Sequence, residues 1–273
     1  MTDTETKSTN RYMVPALAQG LSVLALFTRE RPVWTPPEIA SELQLARATV
    51  FRLLQTLDAS GYLLRESNGR SFRLGVAVLN RGFAYLSSLD LVEIAQPILQ
   101  RLRDKTGLST HLAIRDGSDV VYIARVAGHT RVSSSVTVGT RYPVHATTLG
   151  RMLICDFSNV ELERLFPDER LVKSGEQTPV SRTALAALLA GDRARGYAVS
   201  QSFFEAGVSA VAAPVRNANG QIVAAINVTA VDTKLKAGHM NGALKDEVLN
   251  AANDIARWIV TEAARLPPAG GKK

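Results

Sequence analysis

The stretch Leu45–Leu57, LARATVFRLLQTL, decides how the first part of this 273-residue chain is read. Val50, Leu53, Leu54 and Leu57 recur at the spacing of one helix face. Arg47, Thr49, Arg52 and Gln55 occupy the opposite positions. Upstream, TPPE (35–38) marks a helix start: Thr35 can cap, Pro36 suits the first helical position, and Glu38 closes a capping box. That short helix, PPEIASELQ, is expected to bury Ile39, Ala40 and Leu43, with a tight turn around Leu45 before the next helix at 46–60. Further upstream, VPALAQGLSVLALF (14–27) reads as an apolar helix with Leu17, Leu21, Leu24 and Phe27 as its buried stripe. Downstream of Gly61, the turn signal SNGR lies inside YLLRESNGRSFRLG (62–75) and makes a basic β-hairpin.

Helix, short helix, tight turn, helix and basic hairpin together spell a winged helix-turn-helix over 13–75. The helix at 46–60 is then the recognition helix, presenting Arg47, Ala48, Thr49 and Arg52 to a major groove. Arginine pairs with guanine edges, and threonine with a base or phosphate. The hairpin brings Arg65, Arg70 and Arg73 toward a minor groove or the backbone. The same pattern also fits a small helical domain with solvated arginines.

Composition is compatible with this reading and does not force it. Apolar residues make up 46 % and charged residues 21 %, as in globular proteins, and the length accommodates two domains. The net charge of +7 suits a polyanionic partner. Its placement matters more: five arginines lie between Arg47 and Arg73, against Asp58 and Glu66. The single cysteine, Cys155, cannot form an intrachain disulfide, and no signal-peptide pattern opens the chain, so a reducing cytoplasm is expected. No apolar run approaches the ~20 residues that span a bilayer, so no membrane partner is expected. Residues 1–12 and 266–273 read as polar disordered tails.

Residues 76–89 form a linker helix, with Val76, Leu79, Phe83 and Leu86 on a narrow seam. That seam suits either a second copy of the chain or the helix's own domain. Asp90–Thr106 continues as helix, interrupted by Pro97 and ended by Gly107. From Ser109 the period becomes two: THLAIRDG, DVVYIARV and RVSSSVTVG (131–139) read as three strands. Helices are expected near 147–157, 159–166 and 181–194, followed by strands in GYAVSQSFF, VSAVAAPVRN and QIVAAINVTAV. A helix at 241–264 closes the chain, with Leu244, Val248, Ile255 and Ile259 inward. Residues 90–265 are thus an α+β domain with an antiparallel sheet flanked by helices.

Catalytic chemistry finds no support. His111, His129, His145 and His239 are not paired at ligand spacing, Cys155 reads as a core residue, and no glycine-rich phosphate loop is present. No catalytic residue, metal or cofactor is assigned. A binding pocket has a better case. PVHATTLGRML (143–153) enters a helix whose first N–H groups suit a carboxylate, although Thr147 or Thr148 also reads as a plain cap. In AAINVTA, Asn227 and Thr229 share one face of a strand. If that face is buried they need partners, which a ligand could supply.

The motifs VPALAQGLSVLALF, ATVFRLLQTLDASGYLLRESNGRSFRLG, DGSDVVYIARV, GTRYPVHATTLGRMLI, RGYAV and GVSAVAAPVRNANGQIVAAINV, in this order, make residues 13–265 resemble the IclR family of bacterial transcriptional regulators. The resemblance implies a winged helix-turn-helix, a GAF-like effector domain and homodimers or tetramers on pseudo-palindromic double-stranded DNA, with RNA polymerase a further candidate partner. It implies small organic acid effectors, and the opening motif is most similar to the aromatic-catabolism branch. Effector contacts map to the backbone of Thr148 and Leu149 at the helix start, Ser200 after GYAV, Ala210, and Asn227 and Thr229 in the last strand. The chain departs from the family pattern at Ser200, often acidic, at Ser209-Ala210, usually Arg-Ser, and at Asn227 and Thr229, frequently serines. These departures suit a more apolar or differently charged ligand. A second reading is a ligand-binding or enzymatic α+β domain with a protein-interaction module; a third is a protein that binds duplexes without site preference.

Overall fold

The computed structural model describes residues 12–129, 136–231, 238 and 240–263. The chain divides into two compact units between Ser88 and Leu89. Residues 1–11 and 264–273, which include the expected tails, and His239 lie outside the described residues.

The first unit opens with α1 (Pro15–Ala25), α2 (Pro36–Glu42) and α3 (Arg47–Ala59). The start of α2 follows from Thr35, whose backbone N–H and hydroxyl both donate to the Glu38 carboxylate at 2.8 and 2.6 Å. Those bonds hold the Glu38 carboxyl below the usual range. The turn into α3 closes with the Leu45 N–H on the Ala40 carbonyl at 3.0 Å, and Gln44 takes a left-handed φ of 53° to make it. Strands β1 (Leu63–Arg65) and β2 (Phe72–Leu74) pair antiparallel. At their turn the Asn68 side chain accepts from the N–H groups of Arg70 and Ser71. Trp34 bridges Phe72 through both backbone groups and anchors its indole N–H on the Leu26 carbonyl at 2.9 Å.

Val23, Phe27, Trp34, Ile39, Val50, Leu54, Leu63 and Phe72 build the core of this unit. The buried residues of α1 are Gly20 and Val23; of the expected stripe, Phe27 just past its end is buried and Leu24 half-buried, whereas Leu17 and Leu21 stand 62 % and 59 % exposed. Gly20 faces Leu53 of α3, and the two leucines lie on the outward side of α1. They border an apolar groove with Leu53, Leu57 and Tyr62. Helix α4 (Val76–Ser87) ends this unit and buries none of its residues; Val76, Leu79 and Phe83 are all about two-thirds exposed.

The second unit begins with α5 (Asp90–Thr106), which contains Pro97 without ending there and stops at Gly107 with a left-handed φ of 70°. Six antiparallel strands follow: β3 (Ser109–Asp116), β4 (Asp119–Val126), β5 (Arg141–Pro143), β6 (Ala198–Gln201), β7 (Val208–Arg216) and β8 (Ile222–Val231). Their order is β5-β4-β3-β8-β7-β6, so the last strand in sequence sits in the middle. Most of the strand expected at 131–139 falls on 130–135, outside the described residues, and Val136–Gly139 lead into a turn. Arg141–Pro143 pairs with β4, with Tyr142 opposite Val120 and Arg141 bonded to Asp119.

Helices α6 (Thr148–Leu153), α7 (Asn159–Leu165) and α8 (Arg182–Arg195) lie between β5 and β6, and α9 (Lys245–Ala263) closes the unit after a π-helical turn, Met240–Leu244, broken at Gly242. Leu244, Val248 and Ile255 are buried, and Ile259 is half-buried. Helices α5 and α9 pack on one face of the sheet, where Thr110 bonds the Leu99 carbonyl; α6 packs on the other. Gly150 makes that packing possible, because a Cβ there would lie 2.0 Å from the Val144 carbonyl oxygen. Helix α6 is tied to α8 by a bidentate pair, with Arg151 Nε and Nη2 donating to Asp192 at 2.7 Å. Both side chains are almost wholly buried.

Removing one member of such a pair strands the other charge. Asp192→Ala is expected to lower unfolding free energy by about 3–5 kcal/mol, and Arg151→Met with Asp192→Leu by clearly less. Urea unfolding of the three proteins, followed by circular dichroism, checks the order.

Candidate nucleic-acid interface and ligand pocket

The first unit gathers the arginines of α3 and the hairpin, with different freedom for each. Arg47, Ala48 and Arg52 are exposed on α3, and Thr49 is half-buried beside them. Arg65 lies over the Phe72 ring at 5.0 Å and 3.9 Å from Asp58. Arg73 pairs with Glu66 at 2.9 Å. No salt bridge among the described residues reaches Arg47, Arg52 or the exposed hairpin-tip Arg70. Among the described residues the unit therefore carries three guanidiniums without a salt bridge, two on α3 and one at the hairpin tip.

In the second unit, strand register assembles a pocket. Ser200, Ala210 and Thr229 face one another across β6, β7 and β8, and His111 opposes Asn227 across β3 and β8. Paired residues share a sheet face, and Asn227 lies two positions from Thr229, so all five point to the α6 side. Asn227 is 3 % exposed, so the face is the buried one. Thr148 from α6 joins Ser200, Ala210, Asn227 and Thr229 in lining the cavity. Thr147 is the cap, accepting from the Gly150 N–H at 2.9 Å. The Leu149 side chain goes the other way, into the core, and does not line the pocket.

The remaining wall is aromatic and escaped the sequence reading: Tyr122 on β4, Tyr142 on β5, and Phe203 and Phe204 between β6 and β7, with Glu205 at the rim. Tyr122 meets His111 and Tyr142 edge-on at 5.5 and 6.0 Å, and Phe204 lies 4.7 Å from Tyr142. Only the FF of GYAVSQSFF offered a signal, since the pairing that brings β4 and β5 alongside is non-local. His111 Nδ1 lies 2.9 Å from Asn227 Oδ1. The Thr229 hydroxyl is buried and has no hydrogen-bond partner among the described residues. Burial pushes the His111 imidazole down to about 4 and the Tyr122 phenol upward. The cavity itself is about 50 Å³, room for a water or two. No group of three or more His, Cys, Asp or Glu among the described residues is placed to hold a metal, and none of their helices is long and apolar enough to cross a membrane.

Both units match known family domains. Residues 16–67 match the IclR helix-turn-helix domain, and residues 83–257 match the C-terminal domain of the bacterial transcriptional regulator IclR. The chain belongs to the IclR family of bacterial transcriptional regulators. It is 32 % identical to the Pca regulon regulatory protein of Pseudomonas putida over 89 % of this chain and 84 % of that protein. It is 31 % identical to the transcriptional regulator XynR of Escherichia coli, over 82 % and 88 %. Among solved structures, an IclR homologue of Microbacterium hydrocarbonoxydans in complex with 4-hydroxybenzoate aligns with a TM-score of 0.78 and 26 % identity, over 89 % of this chain and 98 % of that one. An IclR-family chain is a regulator of transcription and not an enzyme.

The buried His111 makes the fold acid-sensitive. Its folded value of about 4 lies below the ordinary 6.5, so in that window the unfolded chain takes a proton that the folded chain refuses. Stability from this group is complete above that window and falls as pH drops through it, by on the order of 3 kcal/mol. His111→Gln lacks the titration, so the stability gap between wild type and variant is expected to narrow from neutral pH to about pH 5 in urea titrations.

Proposed function

We propose that this IclR-family regulator binds a pseudo-palindromic operator as a homodimer in the cytoplasm, under control of a small organic acid held in the second unit. Residues 13–75 serve as the DNA-binding domain, 76–89 as the linker and 90–265 as the effector domain. The observation that carries the DNA reading is the set of uncompensated guanidiniums, Arg47, Arg52 and Arg70, on helix and hairpin tip. Arg47, Ala48, Thr49 and Arg52 meet the major groove, Arg70 the flanking backbone or minor groove, and Arg65 and Arg73 support the hairpin while adding positive potential. The exposed Val76, Leu79 and Phe83 of α4 and the exposed Leu17 and Leu21 of α1 supply the apolar surface for a second copy.

The effector reading rests on the buried, unpartnered Thr229 hydroxyl and the Asn227 amide beneath an aromatic wall. Thr148, Ser200 and Thr229 offer hydroxyl donors to a carboxylate, the Thr148–Leu149 backbone adds N–H groups, and Tyr122, Tyr142, Phe203 and Phe204 suit an aromatic ring. Ligand sites are typically ~300–1,000 Å³, so binding requires this wall to move outward. Only a ligand that prefers the open arrangement can shift DNA binding. The 4-hydroxybenzoate held by the Microbacterium homologue has the same two parts, a ring and a carboxylate.

Selection of duplexes from a random library, with and without a panel of carboxylic acids, is expected to enrich one inverted repeat. Against it, Arg47→Ala and Arg52→Ala are expected to cost roughly 1–3 kcal/mol each, with more lost on the selected site than on random duplex where the side chain reads a base. Equal losses on both duplexes would make that arginine a phosphate contact, and a flat salt dependence would favour a protein-interaction module instead. Asn227→Ala is expected to abolish the acid-dependent change in DNA affinity while basal binding stays within twofold; an intact acid response would remove Asn227 from the effector site.

A further inference from the structure

Val50 and Leu54 of α3 point into the core, yet Phe51 between them is 58 % exposed. It is the only large apolar side chain of α3 so placed among the described residues. One helical turn separates it from Arg47 behind and from Gln55 ahead, and Arg52 is its neighbour. With Gln55, Thr35, Arg65 and Arg70 it borders the hollow between α3 and the hairpin. A phenyl ring left in water between guanidiniums gains nothing for this unit's own fold. The charges around it also say what can cover it: the occupant must be anionic overall and present a small apolar feature to the ring. Duplex DNA presents one such feature in its major groove, the 5-methyl group of thymine, against which an apolar side chain packs.

We propose that Phe51 is a specificity-determining residue that reads a thymine methyl group in each half-site. The inference rests on α3 being the recognition helix. The flanking arginines bind through charge and hydrogen bonds, which tolerate loss of a methyl group; the Phe51 contact does not. It therefore adds discrimination at one thymine that the arginines do not provide.

The test uses full-length protein and the duplex enriched from a random library. Each thymine of the half-site is replaced in turn by deoxyuridine, which keeps the base pair and removes only the methyl group, symmetrically in both half-sites. Wild type is expected to weaken about fourfold per half-site at one position, the effect of uncovering one methyl group. Phe51→Ala is expected to bind the thymine and deoxyuridine duplexes equally while retaining its preference for the selected site at the other positions. Phe51→Gln, which keeps length and loses the apolar ring, serves if the alanine variant fails to fold. A deoxyuridine effect of the same size in wild type and variant, or no effect at any position, overturns the inference and leaves the DNA reading intact. A changed oligomeric state with unaltered thymine dependence overturns it as well, by making Phe51 a contact between copies. Failure of wild type to enrich any sequence overturns it together with the reading on which it rests.

Discussion

The pocket of this regulator depends on the register of β8, held between β3 and β7 at the middle of the sheet. The side-chain period of a strand is two, so a slip of one residue sends every side chain to the other face. In the observed register Asn227 meets His111 and Thr229 lines up with Ala210 and Ser200. After a slip, Asn227 and Thr229 would be driven against α5 and α9, while Val228 would enter the pocket. Burying an amide and a hydroxyl in that apolar layer costs more than the sheet regains. The polar residues thus enforce the register, and the register makes the site.

A second constraint holds the opposite wall. Helix α6 presents Thr148 to the cavity only because Gly150 allows it to lie against Val144 and because Arg151 is clamped to the buried Asp192. The same Arg151 guanidinium lies 4.9 Å from the Phe203 ring, so the clamp also backs the aromatic wall. The rigid side of the pocket is therefore the sheet and α6. The other side is the segment from Ser202 to Glu205, where Ser202 adopts a left-handed φ of 49°. Backbone conformations of that kind persist where surrounding structure imposes them, and they recur at ligand-responsive segments.

Much of the first unit was legible because its signals are local. A capping box, a two-residue turn and an Asn-Gly hairpin act over three or four residues, and the elements appear as the motifs imply. In α1 the inward face runs through Gly20 and Val23 rather than Leu17 and Leu21, because tertiary packing chose which face of a largely apolar helix is covered. In the second unit the pairing of β4 with Arg141–Pro143, where the Asp119–Arg141 ion pair forms, had no such local signal.

The amino-acid sequence by itself determined the winged helix-turn-helix, the α+β class of the second unit and the shared face of Asn227 and Thr229, all consequences of short-range periodicity and turn chemistry. Only the tertiary structure decided that this face is buried, that His111, Tyr122, Tyr142 and Phe204 surround it, and that Arg47, Arg52 and Arg70 have no salt bridge among the described residues while Arg65 and Arg73 are paired. Those outcomes depend on which strands become neighbours and which carboxylates come within reach, and contacts between residues far apart in the chain leave no periodic trace along it.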